Sequence, residues 1–294
     1  MAVVFDAQKE YDSLEKSLKL ELKPFLNELC LASVAVGENY STSLYRGSQQ
    51  KIAKKLGIEY SPIDLKADIS FEDFKSEIEA LNDNKTVTGI IINKPFPSGW
   101  DEEGVFSLLA EKKDVEGVHP ANLGKLFIGD KAVASTLGEN PSAILISPTV
   151  RSILRALNLS DSLGKLYGRK VAIVGFSLLI GKPLALLLAN ALATVTIAQI
   201  GTYEKGDLAE CVSDADIVIS AVGVPHLIKG DWIKKGAIVI DVGTGKKDGK
   251  LTGDVEFDAA SKKAAFITPV PGGVGKLTTM FLYYNLIIAA KFKS

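Results

Sequence analysis

The sequence predicts an α/β protein of two domains, the second built on a doubly wound parallel sheet. Three observations carry this reading. First, residues 168–202 run strand, glycine loop, helix, strand. Val171–Val174 is apolar and β-branched, and Gly175 ends it. Gly181 follows six residues later, Pro183 opens the apolar helix Leu184–Leu192, and Ala193–Ala198 is a second strand. Buried parallel strands read as such short apolar runs, and proline suits the first helical turn, where its missing N–H costs nothing. Second, strand and helix patterns alternate on both sides of this unit, as a layered α/β fold requires. Third, 294 residues exceed one average domain and bury ample surface. The central unit is Rossmann-like: a strand end and a helix N-terminus together offer free N–H groups to a pyrophosphate.

Taken in order, residues 7–29 have helical periodicity with mixed charges, and Leu31–Val36 is a strand. Ser41–Leu56 is a helix, with Ser and Thr at its start to cap it and Gly57 to close it. Ser61–Leu65 is a strand, Ser70–Asn82 a helix capped by Ser70, Val87–Asn93 a buried strand, and Glu102–Glu111 a helix. Residues 113–124 are polar and turn-rich between organised regions, where loops carry function. Residues 127–142 read as a connection and Ser147–Leu157 as a helix entered at Pro148. Beyond the central unit, Asp216–Val222, Gly236–Val242 and Ala264–Ile267 are strands, and 277–292 is a final apolar helix.

Composition excludes several classes. Hydrophobic residues make up 47% and charged residues 23%, ordinary for a soluble globular chain. The net charge of −1 builds no field for nucleic acid. Two cysteines, Cys30 and Cys211, make no disulfide framework, and two distant histidines, His119 and His226, suggest no zinc site, so no metal is expected. The start, MAVVFDAQKE, is too polar for a secretory signal, and the longest apolar run, Leu184–Ala193, contains Asn190 and is too short to span a bilayer. The expectation is a cytoplasmic protein with no membrane partner.

Ligands of open α/β sheets bind beyond the C-terminal strand ends. The loops there are 175–182, 199–202, 221–225 and 243–246, joined by the Pro- and Gly-dense TPVPGGVG at 268–275. The loop spacing G-x5-G is neither G-x-G-x-x-G nor a G-x4-G-K-[ST] phosphate loop. It speaks strongly for the fold and weakly for the ligand; close helix–strand packing alone would also explain it.

Several motifs in fixed order go further: KDVEGVHPANLG (113–124), GRKVAIVGFSLLIGKPLALLL (168–188), DIVISAVGVP (216–225), GAIVIDVG (236–243), LTGDV (251–255) and TPVPGGVGKLT (268–278). With these the chain resembles the methylenetetrahydrofolate dehydrogenase/cyclohydrolase (FolD) family over nearly its whole length. The resemblance implies two α/β domains flanking a cleft: a folate-binding domain of residues 1–140 plus the C-terminal helix 276–294, and a dinucleotide domain of 141–275. It also implies oxidation of 5,10-methylenetetrahydrofolate by a nicotinamide cofactor, followed in many members by hydrolysis of the methenyl product, and a homodimer.

Residue by residue, the carry-over is uneven. Tyr45 matches the family's tyrosine near the pterin. The family has a lysine four residues later on the same helix face, and Gln49 stands there; Lys51 lies on another face. Asn93 occupies the position of the glutamine that supports that lysine, and Glu116 that of an aspartate accepting two hydrogen bonds from the pterin. Tyr45, Gln49, Asn93 and Glu116 are thus the candidate catalytic set. Pro271, Gly272 and Gly273 match the folate-side loop without change, whereas Pro-Cys-Thr-Pro-x-Gly is degraded to residues 145–150. Dinucleotide contacts are expected from Gly175, Phe176, Ser177, Ile180, Gly181, Ile200, Ala221, Val222, Gly223, Thr244 and Thr278. Phe176 replaces the arginine, and Ile200 the serine, that meet the 2′-phosphate of NADP; Gln199 is the nearest polar group at that strand end. NAD is therefore expected ahead of NADP. An amide cannot shuttle a proton, so dehydrogenase without cyclohydrolase is the expectation. Its rivals are a bifunctional enzyme with another residue in place of the lysine, and a catalytically silent folate- or nucleotide-binding protein.

Overall fold

The computed structural model describes residues 2–25, 28–128 and 144–292. In chain order its elements are β1 (Val3–Val4), α1 (Ala7–Glu21), β2 (Cys30–Val36), α2 (Tyr40–Leu56), β3 (Glu59–Leu65), α3 (Phe71–Asp83), β4 (Gly89–Ile92), α4 (Glu102–Ser107) and α5 (Pro120–Ile128). Then come α6 (Pro148–Leu159), β5 (Lys170–Val174), α7 (Gly181–Asn190), β6 (Thr194–Ala198), α8 (Ile200–Glu204), α9 (Leu208–Ser213) and β7 (Ile217–Ser220). The last are β8 (Ile238–Asp241), β9 (Gly245–Lys247), β10 (Lys250–Thr252), α10 (Phe257–Ala260), β11 (Phe266–Ile267) and α11 (Gly275–Lys291).

The chain forms two compact units. The N-terminal unit takes residues 12–125, 144–148 and 279–292 of those described. Its sheet is three parallel strands in the order β3-β2-β4, with Ser33 of β2 level with Pro62 and Ile91. The central strand β2 is buried almost throughout because helices cover a parallel sheet on both faces. Helix α11 is buried nearly all round from Leu277 to Ala290, which explains its apolar reading without amphipathic periodicity.

The C-terminal unit holds a six-stranded parallel sheet in the order β1-β11-β8-β7-β5-β6. Strand β5 is followed by β6 on one side and by β7 on the other, so the order reverses between the ends of β5 and β7. Ala172, Val174, Val218, Val239 and Ile267 from its strands pack with Leu208, Val212 and Ala260 from the covering helices.

Several boundaries differ from the sequence expectation for identifiable reasons. Residues 2–11 belong to the C-terminal unit, not to a domain of 1–140, because Val3–Val4 extend the large sheet alongside Phe266–Ile267. Residues 144–148 go with the N-terminal unit, where the Asn285 amide donates to Ile146 O at 2.7 Å. Asn39, not a Ser or Thr, caps α2: its Oδ1 accepts from Ser41 N and Thr42 N at 3.0 and 3.2 Å. Helix α4 stops at Ser107 because Asn82 intercepts the next backbone groups, donating to Leu108 O at 2.7 Å and accepting from Ala110 N at 2.8 Å. Part of the expected loop 113–124 is helix α5, whose start is set by Pro120 and by His119 Nδ1 accepting from Ala121 N at 3.1 Å. Most of the expected connection 127–142 lies outside the described residues.

Candidate active site

In the N-terminal unit the four candidate catalytic residues come together. Helix α2 carries Tyr45 and Gln49 one turn apart, Asn93 follows β4, and Glu116 sits in the turn that precedes α5. Gln49 is fully buried, and so is Ser33 on the neighbouring strand; Asn93 is 5% exposed. These three close a ring of hydrogen bonds. Ser33 Oγ donates to Gln49 Oε1 at 2.8 Å, Gln49 Nε2 donates to Asn93 Oδ1 at 3.1 Å, and Asn93 Nδ2 donates back to Ser33 Oγ at 2.9 Å. Asn93 Nδ2 also reaches Val34 O at 2.9 Å, and the Tyr60 hydroxyl donates to Gln49 Oε1 at 3.2 Å. The Tyr283 hydroxyl of α11 holds the backbone carbonyl of Gln49 at 2.7 Å. A buried polar network of this kind is stable only when its members are satisfied, and the ring achieves that without a charge. Lys51, two residues along α2, is exposed, as its helical phase predicts.

Around the ring stand the titrating groups. Tyr45 is half-buried, and its phenol is pushed well above its ordinary range by burial and then by the charge of Glu116, against a hydrogen bond with Gln49. Glu116 is pushed up from 4.5 to about 8, first by burial and then by the neighbouring Asp114; Lys94 pulls the other way. Lys94 itself pairs with Glu102.

The turn that carries Glu116 is pinned on every side. Asp114, fully buried, accepts on Oδ2 from His119 N and Asn122 Nδ2, both at 2.8 Å. Burial raises its pKa against these bonds. Asn285 donates to Val115 O at 2.7 Å. Gly117 has φ +65°, and a Cβ there would lie 2.5 Å from Ile146 Cα, so this turn admits no side chain. Ser33, Tyr60, Tyr283 and Asn285 were not singled out by sequence reasoning. Only the strand register and the return of α11 bring them in.

In the C-terminal unit the loop from Gly175 to Gly181 and the turn Ala221–Val222 meet where the strand order reverses. Gly175 ends β5 with φ +105°, and a Cβ on it would stand 2.8 Å from Ala221 O at the end of β7. A Cβ on Gly181 would stand 2.2 Å from Gly175 O. The loop therefore folds flat against the start of α7, whose N–H groups take no side-chain cap among the described residues. Ser177 Oγ accepts from Ile180 N at 3.2 Å and keeps the loop closed. These features fit a dinucleotide pyrophosphate: a floor without side chains and an uncapped helix start. Phe176 is half-buried, with the Lys182 ammonium 5.9 Å from its ring centroid. Ile200 is 70% exposed at the first turn of α8, after Gln199. Val222 and Thr244 are exposed, and Ala221, Gly223 and Thr278 are partly so. Pro271, after a cis peptide bond, and Gly272 are exposed, and Gly273 is buried. Among the described residues no helix is long and apolar enough to cross a membrane.

Family models account for most of the chain. Residues 5–116 match the tetrahydrofolate dehydrogenase/cyclohydrolase catalytic domain, and residues 147–294 match the NAD(P)-binding domain of the same family. The chain belongs to this family. It is 36% identical to the bifunctional protein FolD of Clostridium tetani over 97% of its length and 98% of the relative's. Its fold matches the crystal structure of the bifunctional FolD of Campylobacter jejuni with a TM-score of 0.90 and 30% identity, covering all of both chains. It also matches the Trypanosoma brucei methylenetetrahydrofolate dehydrogenase-cyclohydrolase, complexed with NADP cofactor and inhibitor, with a TM-score of 0.88 at 33% identity over 99% of this chain and 98% of that one. The protein is thus a methylenetetrahydrofolate dehydrogenase/cyclohydrolase-family enzyme with an NAD(P)-binding Rossmann-like domain.

Proposed function

We propose that this enzyme oxidises 5,10-methylenetetrahydrofolate to the 5,10-methenyl form and leaves that product unhydrolysed. The observation that carries the second half is the neutral ring of Ser33, Gln49 and Asn93. Every side chain in it is a hydroxyl or an amide, and neither changes protonation near neutral pH. Water attack on the methenyl carbon needs a group that takes up or releases a proton. Oxidation needs only that pterin and cofactor be held together. When bound, NAD or NADP accepts the hydride.

The chain's own residues do the holding. Glu116 as carboxylate accepts from the amino-pyrimidine edge of the pterin, Tyr45 lies against its ring, and Pro271, Gly272 and Gly273 supply a second folate-side surface. Gly175, Ser177, Ile180, Gly181, Ala221, Val222, Gly223, Thr244 and Thr278 cradle the dinucleotide by backbone and small polar groups. NAD is preferred, because Phe176 and Ile200 offer a 2′-phosphate neither guanidinium nor hydroxyl. A cytoplasmic homodimer completes the reading; light scattering at monomer mass, at micromolar concentration, would count against the dimer.

The bifunctional reading has support from Glu116, which at a pKa of about 8 can exchange a proton near neutral pH, and from Lys94, whose charge reaches Glu116. Lys94 is tied to Glu102 and exposed, so it makes a weaker proton relay than a lysine in the ring would. The deciding assay mixes enzyme, methylenetetrahydrofolate and NAD or NADP and follows methenyl absorbance. The product should accumulate and then decay at the rate seen in buffer. Decay that scales with enzyme concentration would establish the bifunctional reading instead.

A further inference from the structure

Two buried carboxylates in the C-terminal unit have no part in the chemistry described so far. Asp241 ends β8, and Asp254 follows the β9–β10 hairpin; they are 3% and 0% exposed. Asp241 Oδ1 accepts from Gly243 N at 3.1 Å and Asp254 N at 3.2 Å, and its Oδ2 accepts from Val255 N at 2.9 Å. It thereby fixes the segment that presents Asp254. The carboxylate of Asp254 then crosses under the turn after β8 to the loop after β7. There its Oδ2 accepts from Ser220 Oγ at 2.7 Å and from Val222 N at 2.8 Å. The crossing is possible only because residue 243 is glycine: a Cβ there would lie 2.0 Å from the Asp254 carboxyl atoms.

What Asp254 holds is the turn that faces the glycine loop. Val222 follows Ala221, whose carbonyl oxygen packs on Gly175. A chain of contacts therefore runs from the Asp254 carboxylate through the Val222 N–H and the Ala221 carbonyl to the floor of the dinucleotide loop. The other carboxyl oxygen, Asp254 Oδ1, has no hydrogen-bond partner among the described residues. Burying a carboxylate with an idle oxygen is costly, and an apolar residue would fill the space more cheaply. Packing alone therefore does not account for an acid here. A charge-assisted bond is roughly twice as strong as a neutral one, which suits a residue that must fix one backbone N–H against thermal motion.

We propose that Asp254 is a positioning residue for the dinucleotide: through the Val222 N–H it sets the height of the Ala221–Gly223 turn over Gly175, without touching the cofactor. The proposal rests on the dinucleotide lying on this loop. Asp254→Asn and Asp254→Ala test it, with NADH and NADPH dissociation constants read by fluorescence titration of the cofactor-free protein, well below each variant's Tm. Tetrahydrofolate affinity and the dinucleotide KM are measured beside them. Both variants should weaken the preferred dinucleotide about tenfold or more and raise its KM, with tetrahydrofolate affinity within twofold of wild type. Ser220→Ala keeps Asp254 on Val222 and should cost less than threefold; it also serves if the Asp254 variants do not fold. Asp254 variants that bind dinucleotide as wild type does, or a Ser220→Ala loss of tenfold, would overturn the positioning role and leave a buried structural staple. Wild-type protein that binds neither NADH nor NADPH would instead overturn the placement of the dinucleotide, and the proposal with it.

Discussion

Gln49→Lys restores the family's charged residue and puts the ring itself under test. The side chain is fully buried. Its Oε1 accepts from Ser33 and Tyr60 hydroxyls at 2.8 and 3.2 Å, and its Nε2 donates to Asn93 at 3.1 Å. An ammonium has three donors and no acceptor. It can keep the bond to Asn93, but both hydroxyls must turn and find new acceptors, at ~1 kcal/mol for each bond lost. Desolvation is the larger effect. Buried lysines titrate up to about 3–5 units low, and each unit is ~1.4 kcal/mol. The net expectation at pH 7 is a loss of about 2–4 kcal/mol, or roughly 5–15 °C in Tm for a chain of this size. The same lowered pKa makes the lysine a proton acceptor near neutral pH. Added methenyltetrahydrofolate should therefore decay in proportion to variant concentration, and faster still with Gln49→Lys/Asn93→Gln, which also restores the supporting glutamine. Two results would refute the reasoning: wild-type enzyme that accelerates the decay, or a double variant as inert as wild type. An unchanged Tm would show that residue 49 does not sit in a satisfied, buried ring.

Three further outcomes follow from the site. On the proposed reading Glu116 meets the pterin as a carboxylate, and burial pushes its pKa up to about 8 in the free enzyme, so kcat/KM for methylenetetrahydrofolate should rise from pH 6.5 through 8 and level about one unit above that pKa. Glu116→Gln should flatten that limb, Glu116→Ala should cost about a hundredfold or more through two lost charge-assisted bonds, and a wild-type profile falling with pH would contradict the assignment. Because the folded pKa lies above the ordinary 4.5, the folded state holds the extra proton in that window, and this group's contribution to stability declines as pH rises from about 4.5 to 8. Phe176→Arg should move kcat/KM toward NADP by about tenfold, ~1.4 kcal/mol; a wild type already favouring NADP tenfold would show that the loop has been misread. Gly181→Ala must displace Gly175 O from a 2.2 Å clash, so dinucleotide binding should be lost in titrations while tetrahydrofolate binding persists.

The fold was legible where one residue's neighbours in sequence decide its structure. Ser70 does cap α3, accepting from Asp73 N at 3.1 Å, and Gly57 does close α2 in the left-handed region. Several of the failures share a cause: a partner far along the chain. Asn82 ends α4 from 26 residues away, and β1 exists only because β11 offers it an edge. The β9–β10 hairpin is different, since its signal was local. Asp248 and Gly249 both have positive φ, the pair that tight hairpin turns favour, and the polar, lysine-rich run around them, without apolar alternation, hid the strands.

The site divides along the same line, and the division bears on function. Resemblance pointed to Gln49 and Asn93 as two losses at one site, the lysine and the glutamine that supports it, and said nothing of how the two amides meet. The register of β2 against β4, which sets Val34 level with Ile92 and brings Asn93 beside Ser33, makes them one arrangement. A shorter amide at 93 fits Ser33 Oγ and Gln49 Nε2 simultaneously. A ring complete without a cation gives a reason for both changes to persist together: once lysine is gone, each member satisfies the next, and reinstating lysine alone leaves hydroxyl protons without acceptors. The two substitutions should therefore be coupled. Stabilities of wild type, Gln49→Lys, Asn93→Gln and the double variant form a cycle, and the double variant should be more stable than the sum of the singles predicts by about 1 kcal/mol or more. Strict additivity would mean that residues 49 and 93 do not share a network, and the argument from the ring to the missing hydrolysis would lose its footing.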